Sequence, residues 1–337
     1  MKKKLIGLII GIFSFSIVSA SAATELKLAT FEPPKAFIAS KILAGWATKV
    51  NQCSAGALNV KMYAGGVLGS PPKQYDIVTS GVADISWTVL GYIGGQFPLS
   101  SVIELPFLTK TSKAGTTALN SLFIEGYLDK EMAGIKVIGL HSNPGYQIHM
   151  KDTKVVNPAD FKGKKMRVPS KIAGTILKTL GATGVKVPAP GTSEALSKGV
   201  VDGTPFPYTA VGSFRLFDVT KYHTEVNITN ATFGLIMNED KFNSLPSGAQ
   251  ACINKFSGHA FGDWASNLID NQNAVMKNEI SKRADHEIII ASDDVIAEYK
   301  KILAPIETNW LKEMSGKGLD GDAVLNRARQ IITAVEG

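Results

Sequence analysis

Two stretches of the chain, TSGVADISW (Thr79–Trp87) and SKGVVDGTPF (Ser197–Phe206), share one pattern. Each begins at the end of a predicted helix, passes through Gly-Val, one further residue and Asp, and continues as an extended run. The matched pairs are Gly81 with Gly199, Val82 with Val200, and Asp84 with Asp202. Because both stretches lie in a strand–helix–strand context, the repeat indicates two similarly built α/β domains.

The segments around the repeat alternate between strand and helix patterns. TELKLATF and ALNVKMYA read as strands around a helix that ends near Val50, and SPPKQYDIVTSG reads as a helix with prolines in its first turn. GIKVIGL, KKMRVP and GVKVPAP are the corresponding strands of the second half. Such alternation predicts parallel sheets covered by helices. Beyond about Asn238 the pattern is helical, and we expect long helices there to brace two domains separated by a cleft.

The N-terminus has the pattern of a secretory signal peptide. Lys2–Lys4 precede the apolar run LIGLIIGIFSFSIV, and ASAA follows with small residues at a cleavage site after Ala22, or alternatively after Ala23. A membrane anchor is the alternative, but the apolar run is short for a span. We therefore predict that the mature protein is exported and soluble. Loss of the three lysines lowers the formal net charge from +7 to +4.

Cys53 and Cys252 are the two cysteines of the chain. In an oxidising compartment they either form a disulfide that closes a long loop or remain separate buried thiols. The separation of the two cysteines in the sequence does not decide between these possibilities, because a disulfide depends on their distance and orientation in the folded protein.

No arrangement typical of an enzyme is found in the sequence. Ser70 and Lys73 have a Ser-x-x-Lys spacing, but two prolines fill it and no companion motif follows. His141, His149 and His223 lack metal-ligand spacing, so we expect no metal, no cofactor and ordinary histidines. The charges form no basic stripe with interleaved aromatics, which argues against nucleic acid. An exported two-domain protein without a catalytic centre is predicted to bind a ligand.

Arg167 is the first candidate for ligand binding. In the predicted strand Lys165–Val168, Met166 and Val168 point to one face and Arg167 to the other. Pro169 ends the strand, which places Arg167 at a carboxyl end, where α/β sheets bind ligands. A guanidinium forms two parallel hydrogen bonds with a carboxylate and keeps its charge. The alternative is a structural ion pair with Asp or Glu.

The chain resembles the periplasmic solute-binding proteins of tripartite ATP-independent periplasmic (TRAP) transporters, the DctP-like group. The resemblance rests on YAGGVLGSPPKQYDIVTSGVADIS, VIELPFL, FKGKKMRVP and ALSKGVVDGTPFP, and it covers essentially the whole mature chain. It implies a periplasmic protein with two α/β lobes that close on a small organic anion, and delivery of that anion to membrane permease subunits. We also predict that the mature protein is a monomer. It also implies that Arg167 binds the ligand's carboxylate. We expect residues 1–22 as signal peptide, 23–143 plus about 231–265 as lobe I, and 144–230 plus about 266–337 as lobe II with bracing helices.

Departures from the sialic-acid binders of this family bear on the ligand. An arginine of those proteins is replaced by Gln147, and an asparagine after the VDG motif is replaced by Phe206. The predicted pocket suits a monocarboxylate with an apolar or aromatic body. The other residues expected to bind it are Phe31, Glu32, Trp87, Thr88, Tyr92, Tyr146, Asn230 and Phe233.

Two other functions stay open at this stage. The same lobes would serve a ligand sensor that docks on a receptor instead of a permease. An exported hydrolase is the third possibility, and it requires a nucleophile–base pair that the sequence does not offer.

Overall fold

The computed structural model describes residues 23–337, so the predicted signal peptide lies outside the described residues. The described part of the chain contains two sheets. Its strands, in chain order, are β1 (Thr24–Ala29), β2 (Leu58–Tyr63), β3 (Ile85–Val89), β4 (Ile135–Ser142), β5 (Gln147–Met150), β6 (Lys165–Val168), β7 (Thr183–Lys186), β8 (Gly203–Phe206), β9 (Tyr222–Glu225), β10 (Thr232–Asn238) and β11 (Glu287–Ile290).

The first sheet has the order β2-β1-β3-β10-β4, and the second has the order β11-β9-β5-β8-β6-β7. We refer to the bodies built on these sheets as lobe I and lobe II. The predicted parallel pairs are present, since β1 pairs in parallel with β2 and β3, and β6 with β7 and β8. The sheets are nevertheless mixed, because β10 runs antiparallel between β3 and β4, and β5 runs antiparallel to β8 and β9.

The α-helices of the described residues fill the connections and the C-terminal part. They are α1 (Ala44–Cys53), α2 (Gln74–Thr79), α3 (Ser112–Ile124), α4 (Asp129–Met132), α5 (Lys171–Thr179), α6 (Thr192–Ser197), α7 (Tyr208–Ser213), α8 (Glu239–Asn243), α9 (Ser247–Lys255), α10 (His259–Ser281), α11 (Asp293–Leu303), α12 (Pro305–Gly316) and α13 (Gly321–Glu336). A π-helical turn, Ile38–Leu43, leads into α1, and short 3₁₀ segments include Leu90–Tyr92 and Ala189–Gly191.

The long C-terminal helices pack against both lobes. Helix α10 contacts α3 and β4 of lobe I and α7 of lobe II, and α13 packs on α3. The indole Nε1 of Trp310 on α12 donates to Ser101 Oγ at 2.9 Å. Within residues 23–337, none of the helices combines the length and the apolar character that a membrane span requires.

The repeated sequence pattern corresponds to a repeated local structure. Gly81 and Gly199 have φ of 75° and 68°, which lets the chain leave a helix in a left-handed conformation. In lobe I, Asp84 Oδ2 accepts from the backbone N–H of Lys27 at 2.7 Å. In lobe II, Asp202 Oδ2 accepts from the backbone N–H of Lys165 at 2.8 Å. Each aspartate therefore ties the start of one strand to the neighbouring strand in the same way.

The buried apolar residues connect the two lobes. One cluster combines Leu119 of α3 with Met166 of β6 and Leu325 of α13, and a second combines Trp46 of α1 with Phe206 of β8. The lobe boundaries near residues 143, 230 and 265 stay a prediction.

Cys53 at the end of α1 and Cys252 of α9 form a disulfide, with a Cα–Cα distance of 5.7 Å. Of the two possibilities that the sequence left open, the structure has the bonded one. The bond joins segments that are 199 residues apart in the chain.

Candidate functional site

A small, largely closed cavity lies between the lobes. The residues that line it are Phe31, Glu32, Ile38, Trp87, Val89, Tyr92, Asn143, Tyr146, Arg167, Pro169, Ala189, Phe206, Thr209, Ala210, Ser213, Phe214, Ala231 and Phe233.

Arg167 enters the cavity from the end of β6. The strand stops at Pro169, and α5 starts directly afterwards because Ser170 Oγ caps it by accepting from the Ala173 N–H at 3.3 Å. The residue is 1 % exposed. Its Nε donates to the Val187 carbonyl oxygen and its Nη2 to the Tyr92 hydroxyl, both at 2.9 Å.

The other end of this guanidinium is unpaired. Nη1 is buried and has no hydrogen-bond partner within residues 23–337. The guanidinium carbon lies 4.3 Å from the centroid of the Phe206 ring, so a cation–π contact supports its flat face. Because Nε and one N–H of Nη2 donate hydrogen bonds to protein atoms, the side chain is fixed and Nη1 is available to a ligand.

Tyr92 connects the two lobes at this point. It ends the 3₁₀ segment after β3, and its hydroxyl accepts from Arg167 and also from the Ala189 N–H at 2.9 Å. A tyrosine hydroxyl has one proton to donate besides its lone pairs. Since two donors already occupy its oxygen, that proton is available to an acceptor in the cavity.

Stacked rings from three neighbouring strands form the lobe I wall. Phe233 of β10 lies 4.9 Å from Trp87 of β3 and 4.7 Å from His141 of β4, centroid to centroid, with nearly parallel planes. Trp87 Nε1 donates to His141 Nε2 at 2.8 Å, and Phe31 lies 5.1 Å from Trp87. Burial lowers the pKa of His141 to about 4. This histidine is therefore neutral and serves as a hydrogen-bond acceptor within the wall.

Aromatic side chains also form the lobe II wall. Phe206 lies 6.0 Å from Tyr146 and 6.2 Å from Phe214, centroid to centroid. The Tyr146 hydroxyl accepts from Asn143 Nδ2 at 3.3 Å. Burial raises the pKa of Tyr146, so this hydroxyl stays protonated. Both flat sides of the cavity are thus suited to an aromatic or apolar body.

Glu32 is a buried acidic residue of the lining. It is 3 % exposed, and its Oε2 has no partner within the described residues. Its backbone is held, since its N–H donates to Thr30 Oγ1 at 3.2 Å and its carbonyl accepts from the Gly65 N–H at 2.8 Å. Burial raises the pKa of Glu32 to about 8. The carboxyl is therefore neutral at pH 7.

Three residues predicted for the site are outside the lining. Gln147 is engaged elsewhere, because its Nε2 donates to Asn227 Oδ1 at 2.7 Å and its Oε1 accepts from the Val226 N–H at 2.8 Å. Thr88 and Asn230 are buried next to lining residues, but neither lines the cavity. The structure brings together the other eight, Arg167, Phe206, Tyr146, Phe31, Glu32, Trp87, Tyr92 and Phe233.

Sequence reasoning missed most of the lining from α7 and from the ends of strands. Thr209, Ala210 and Ser213 belong to the short helix α7 after PFP, and Pro169 and Ala189 follow β6 and β7. Pro207 before a short apolar helix was the available signal for α7, which begins at Tyr208.

Other chemistry has little support in the described residues. Across residues 23–337, no group of three or more His, Cys, Asp or Glu side chains is arranged to hold a metal ion. Lys73 lies on the surface paired with Asp76 at 2.8 Å, and that hydrogen bond raises the pKa of Lys73. Lys73 is therefore a poor base for Ser70.

A family model described as bacterial extracellular solute-binding protein, family 7, DctP, matches residues 28–313. The chain is similar to a TRAP solute-binding protein from Rhodoferax ferrireducens T118, solved in complex with copurified benzoate, at 30% identity and a TM-score of 0.89, covering 93% of this chain and 98% of that one. It is also similar to a marine metagenome TRAP solute-binding protein specific for aromatic acid ligands, solved with 3-hydroxybenzoate, at 32% identity and a TM-score of 0.89, covering 93% and 99% of the two chains.

Among curated relatives, the chain is 23% identical over 268 residues to the C4-dicarboxylate-binding periplasmic protein DctP of Rhodobacter capsulatus, covering 78% of this chain and 79% of the relative. The matches confirm the predicted two-lobed fold with its interlobe cleft and long C-terminal helices.

Proposed function

The chain belongs to family 7 of the bacterial extracellular solute-binding proteins, and we propose that it captures an aromatic monocarboxylate between its lobes and delivers it to a TRAP permease. The observation that carries this proposal is the buried Arg167, whose Nη1 is unpaired in a cavity walled by aromatic rings. A buried charge without a partner is costly, and a carboxylate supplies the missing partner.

The hydrogen bonds around Arg167 favour one binding geometry. Nε is occupied by Val187, so a carboxylate approaches the Nη1 and Nη2 end of the guanidinium. One carboxylate oxygen then accepts from Nη1, the other from the second N–H of Nη2, and the Tyr92 proton is a further donor. Such a bidentate, charge-assisted arrangement is among the strongest that protein side chains form.

The rest of the lining favours a ring over a second charge. Among the described residues that line the cavity, Arg167 is the one cation, so the second carboxylate of a dicarboxylate would be buried without a partner. Trp87, Phe233 and Phe206 present flat apolar surfaces instead. The benzoate and 3-hydroxybenzoate bound by two similar proteins belong to this chemical class.

We place this function in the periplasm, with the protein exported as a monomer through its predicted signal peptide. The relatives that support this location include a periplasmic binding protein and TRAP binding proteins. As a binding protein it is not expected to alter its ligand chemically.

A thermal-shift screen of aromatic and aliphatic acids with the mature protein tests the proposal. A ligand that binds only the native state stabilises it by about 2.7 kcal/mol at a hundredfold excess over Kd, which raises Tm measurably. We expect benzoate-like acids to raise Tm more than C4 dicarboxylates of equal concentration. A screen in which protein freed of copurified ligand responds to no aromatic acid contradicts the proposal.

Replacement of Arg167 is the decisive variant. We expect Arg167→Ala to keep a native circular dichroism spectrum but to lose about 3–5 kcal/mol of binding free energy, because the carboxylate would be enclosed without a partner. This loss weakens Kd by roughly two to three and a half orders of magnitude in calorimetric titration. Arg167→Lys restores only part of it, since an ammonium lacks the planar fork.

The matched control is Arg329→Ala, which removes an arginine paired with Glu307 outside the cavity. It should bind like the wild type. An Arg167→Ala protein that is folded and binds within about threefold of the wild type shows that the carboxylate lies elsewhere.

A further inference from the structure

The cavity contains a second unpaired polar side chain besides Arg167. The buried side-chain atoms without a partner in residues 23–337 are Glu32 Oε2, Thr88 Oγ1, His141 Nδ1, Arg167 Nη1, Asn230 Oδ1 and His286 Nε2. Of these, the atoms of Glu32 and Arg167 belong to residues that line the cavity. A buried polar atom left without a hydrogen bond costs free energy, so its presence in a binding cavity calls for a partner on the ligand.

We infer that Glu32 is a specificity-determining residue that hydrogen-bonds a hydroxyl substituent on the body of the bound acid. This inference rests on the proposed function, because it assumes that Arg167 binds the carboxylate. It narrows the ligand class from aromatic monocarboxylates to hydroxylated ones.

The two polar groups are separate in the cavity. Glu32 and Arg167 form neither a salt bridge nor a hydrogen bond with each other, and Arg167 donates to Tyr92 and Val187 instead. Burial is the one cause that acts on the pKa of Glu32, and no neighbouring cation opposes it. The ligand's carboxylate therefore binds Arg167, and a different group of the same ligand must satisfy Glu32.

The chemistry of Glu32 selects the kind of group. Burial raises its pKa to about 8, so at neutral pH the carboxyl has one O–H to donate and a carbonyl oxygen that accepts. A hydroxyl group has the same pair of functions and can satisfy both at once. A methyl group of similar size satisfies neither, and a second carboxylate would find no cation there.

The position of Glu32 is fixed in advance of binding. Its N–H and its carbonyl oxygen are both hydrogen-bonded, to Thr30 Oγ1 and the Gly65 N–H, and Pro33 and Pro34 follow it directly. Little backbone freedom at Glu32 is then lost when the side chain meets a ligand, which favours selectivity.

The test compares ligands that differ in one substituent. Calorimetric titration of the wild type with benzoate, the three hydroxybenzoates and the three methylbenzoates separates the hydrogen bond from the shape of the substituent. We expect at least one hydroxybenzoate to bind about tenfold more tightly than both benzoate and the methylbenzoate substituted at the same ring position.

Two substitutions of Glu32 complete the test. Glu32→Gln keeps a donor and an acceptor, so it should retain the preference for the hydroxyl within about threefold. Glu32→Leu removes both and should abolish the preference for the hydroxyl compound or reverse it toward the methyl compound. Thermal unfolding of both variants checks that they are folded, and the Gln variant keeps the test valid if the Leu variant is not.

The outcomes separate this inference from the function on which it rests. If benzoate binds but no hydroxybenzoate exceeds its methyl counterpart, or if Glu32→Leu keeps the preference, the inference is wrong and the proposed function stands. Tighter binding of the cationic 3-(aminomethyl)benzoate than of every hydroxybenzoate also overturns it, because Glu32 would then act as an anion. If the wild type binds no aromatic acid, both fail together.

Discussion

At the scale of single residues, Glu32 makes the ligand-free protein less stable than it could be. Its pKa rises from the ordinary value of 4.5 to about 8 on folding, because burial disfavours the charged form. Stability is therefore unaffected by this group below about pH 4.5 and is lost progressively as the pH rises toward about 8, since the unfolded chain ionises freely and the folded one does not.

We expect Glu32→Gln to stabilise the ligand-free protein relative to the wild type, by roughly 1–3 kcal/mol at pH 8 and by little at pH 4.5. Chemical denaturation of both proteins at several pH values measures this difference in the free energy of unfolding. The other titrating groups are common to both proteins, so their contributions cancel. Glu298→Gln, at an exposed position of α11, is the control and should show no such trend. A Glu32→Gln difference that is constant across this pH range would mean that Glu32 is ionised in the folded protein.

Residue-scale predictions from the sequence succeeded where strand geometry determines the side-chain direction. Arg167 was predictable because the alternation within β6 and the following Pro169 place it at a strand end. Gln147 was not, because the feature that removes it from the cavity is a set of hydrogen bonds to residues 226 and 227, about eighty positions away in the chain. Alignment with a family supplies a position, but it does not supply these non-local partners.

At the scale of elements, the 3₁₀ segment Leu90–Tyr92 of lobe I contacts lobe II through the hydroxyl group of Tyr92. We expect Tyr92→Phe to weaken binding of the aromatic acid about tenfold or more, because Arg167 Nη2 and the Ala189 N–H lose their acceptor and the ligand loses a donor. Calorimetric titration measures the loss.

The control for this variant is Tyr222→Phe, at a half-buried position on β9 outside the cavity lining. Unchanged affinity in Tyr92→Phe would show that the link between the lobes contributes nothing to the bound state.

Element-scale prediction was limited by strands that join distant parts of the chain. The β1–β3 and β6–β8 units were predictable, since each repeats a local strand–helix–strand pattern that ends in Gly-Val-x-Asp. Strand β10 lacks such a pattern, because most of TFGLIMN is buried between β3 and β4 and shows no alternation. Strand β10 belongs to lobe I, but in the sequence it comes after most of the strands of lobe II. A continuous apolar run cannot by itself be assigned to a strand or a helix.

At the scale of the whole molecule, the disulfide Cys53–Cys252 ties the early helix α1 to α9. We expect Cys53→Ser/Cys252→Ser to lower the free energy of unfolding by about 2–5 kcal/mol, because the unfolded chain is no longer constrained across a long loop. The affinity for the acid should not change, since neither cysteine lines the cavity. Urea denaturation of the wild type with and without reductant checks the result, and coincident curves would contradict it.

The arrangement of the two lobes determines how a ligand reaches Arg167. In this structure Arg167 is 1 % exposed and its guanidinium donates to the Tyr92 hydroxyl across the lobes, so the arrangement is a closed one. We therefore expect the lobes to separate when a ligand enters, by the hinge motion found in periplasmic binding proteins. Without ligand, burial of the unpaired Arg167 Nη1 and Glu32 Oε2 opposes closure, and the proposed hydroxylated aromatic acid would remove both costs at once.

We therefore expect solution scattering to give a smaller radius of gyration with a saturating aromatic acid than without it. Arg167→Ala at the same acid concentration should keep the larger value, because the ligand no longer favours the closed state. Identical scattering profiles of the wild type with and without a ligand that calorimetry shows to be bound would mean that the lobes are already closed in the free protein, and that the ligand enters by local movement of the cavity walls.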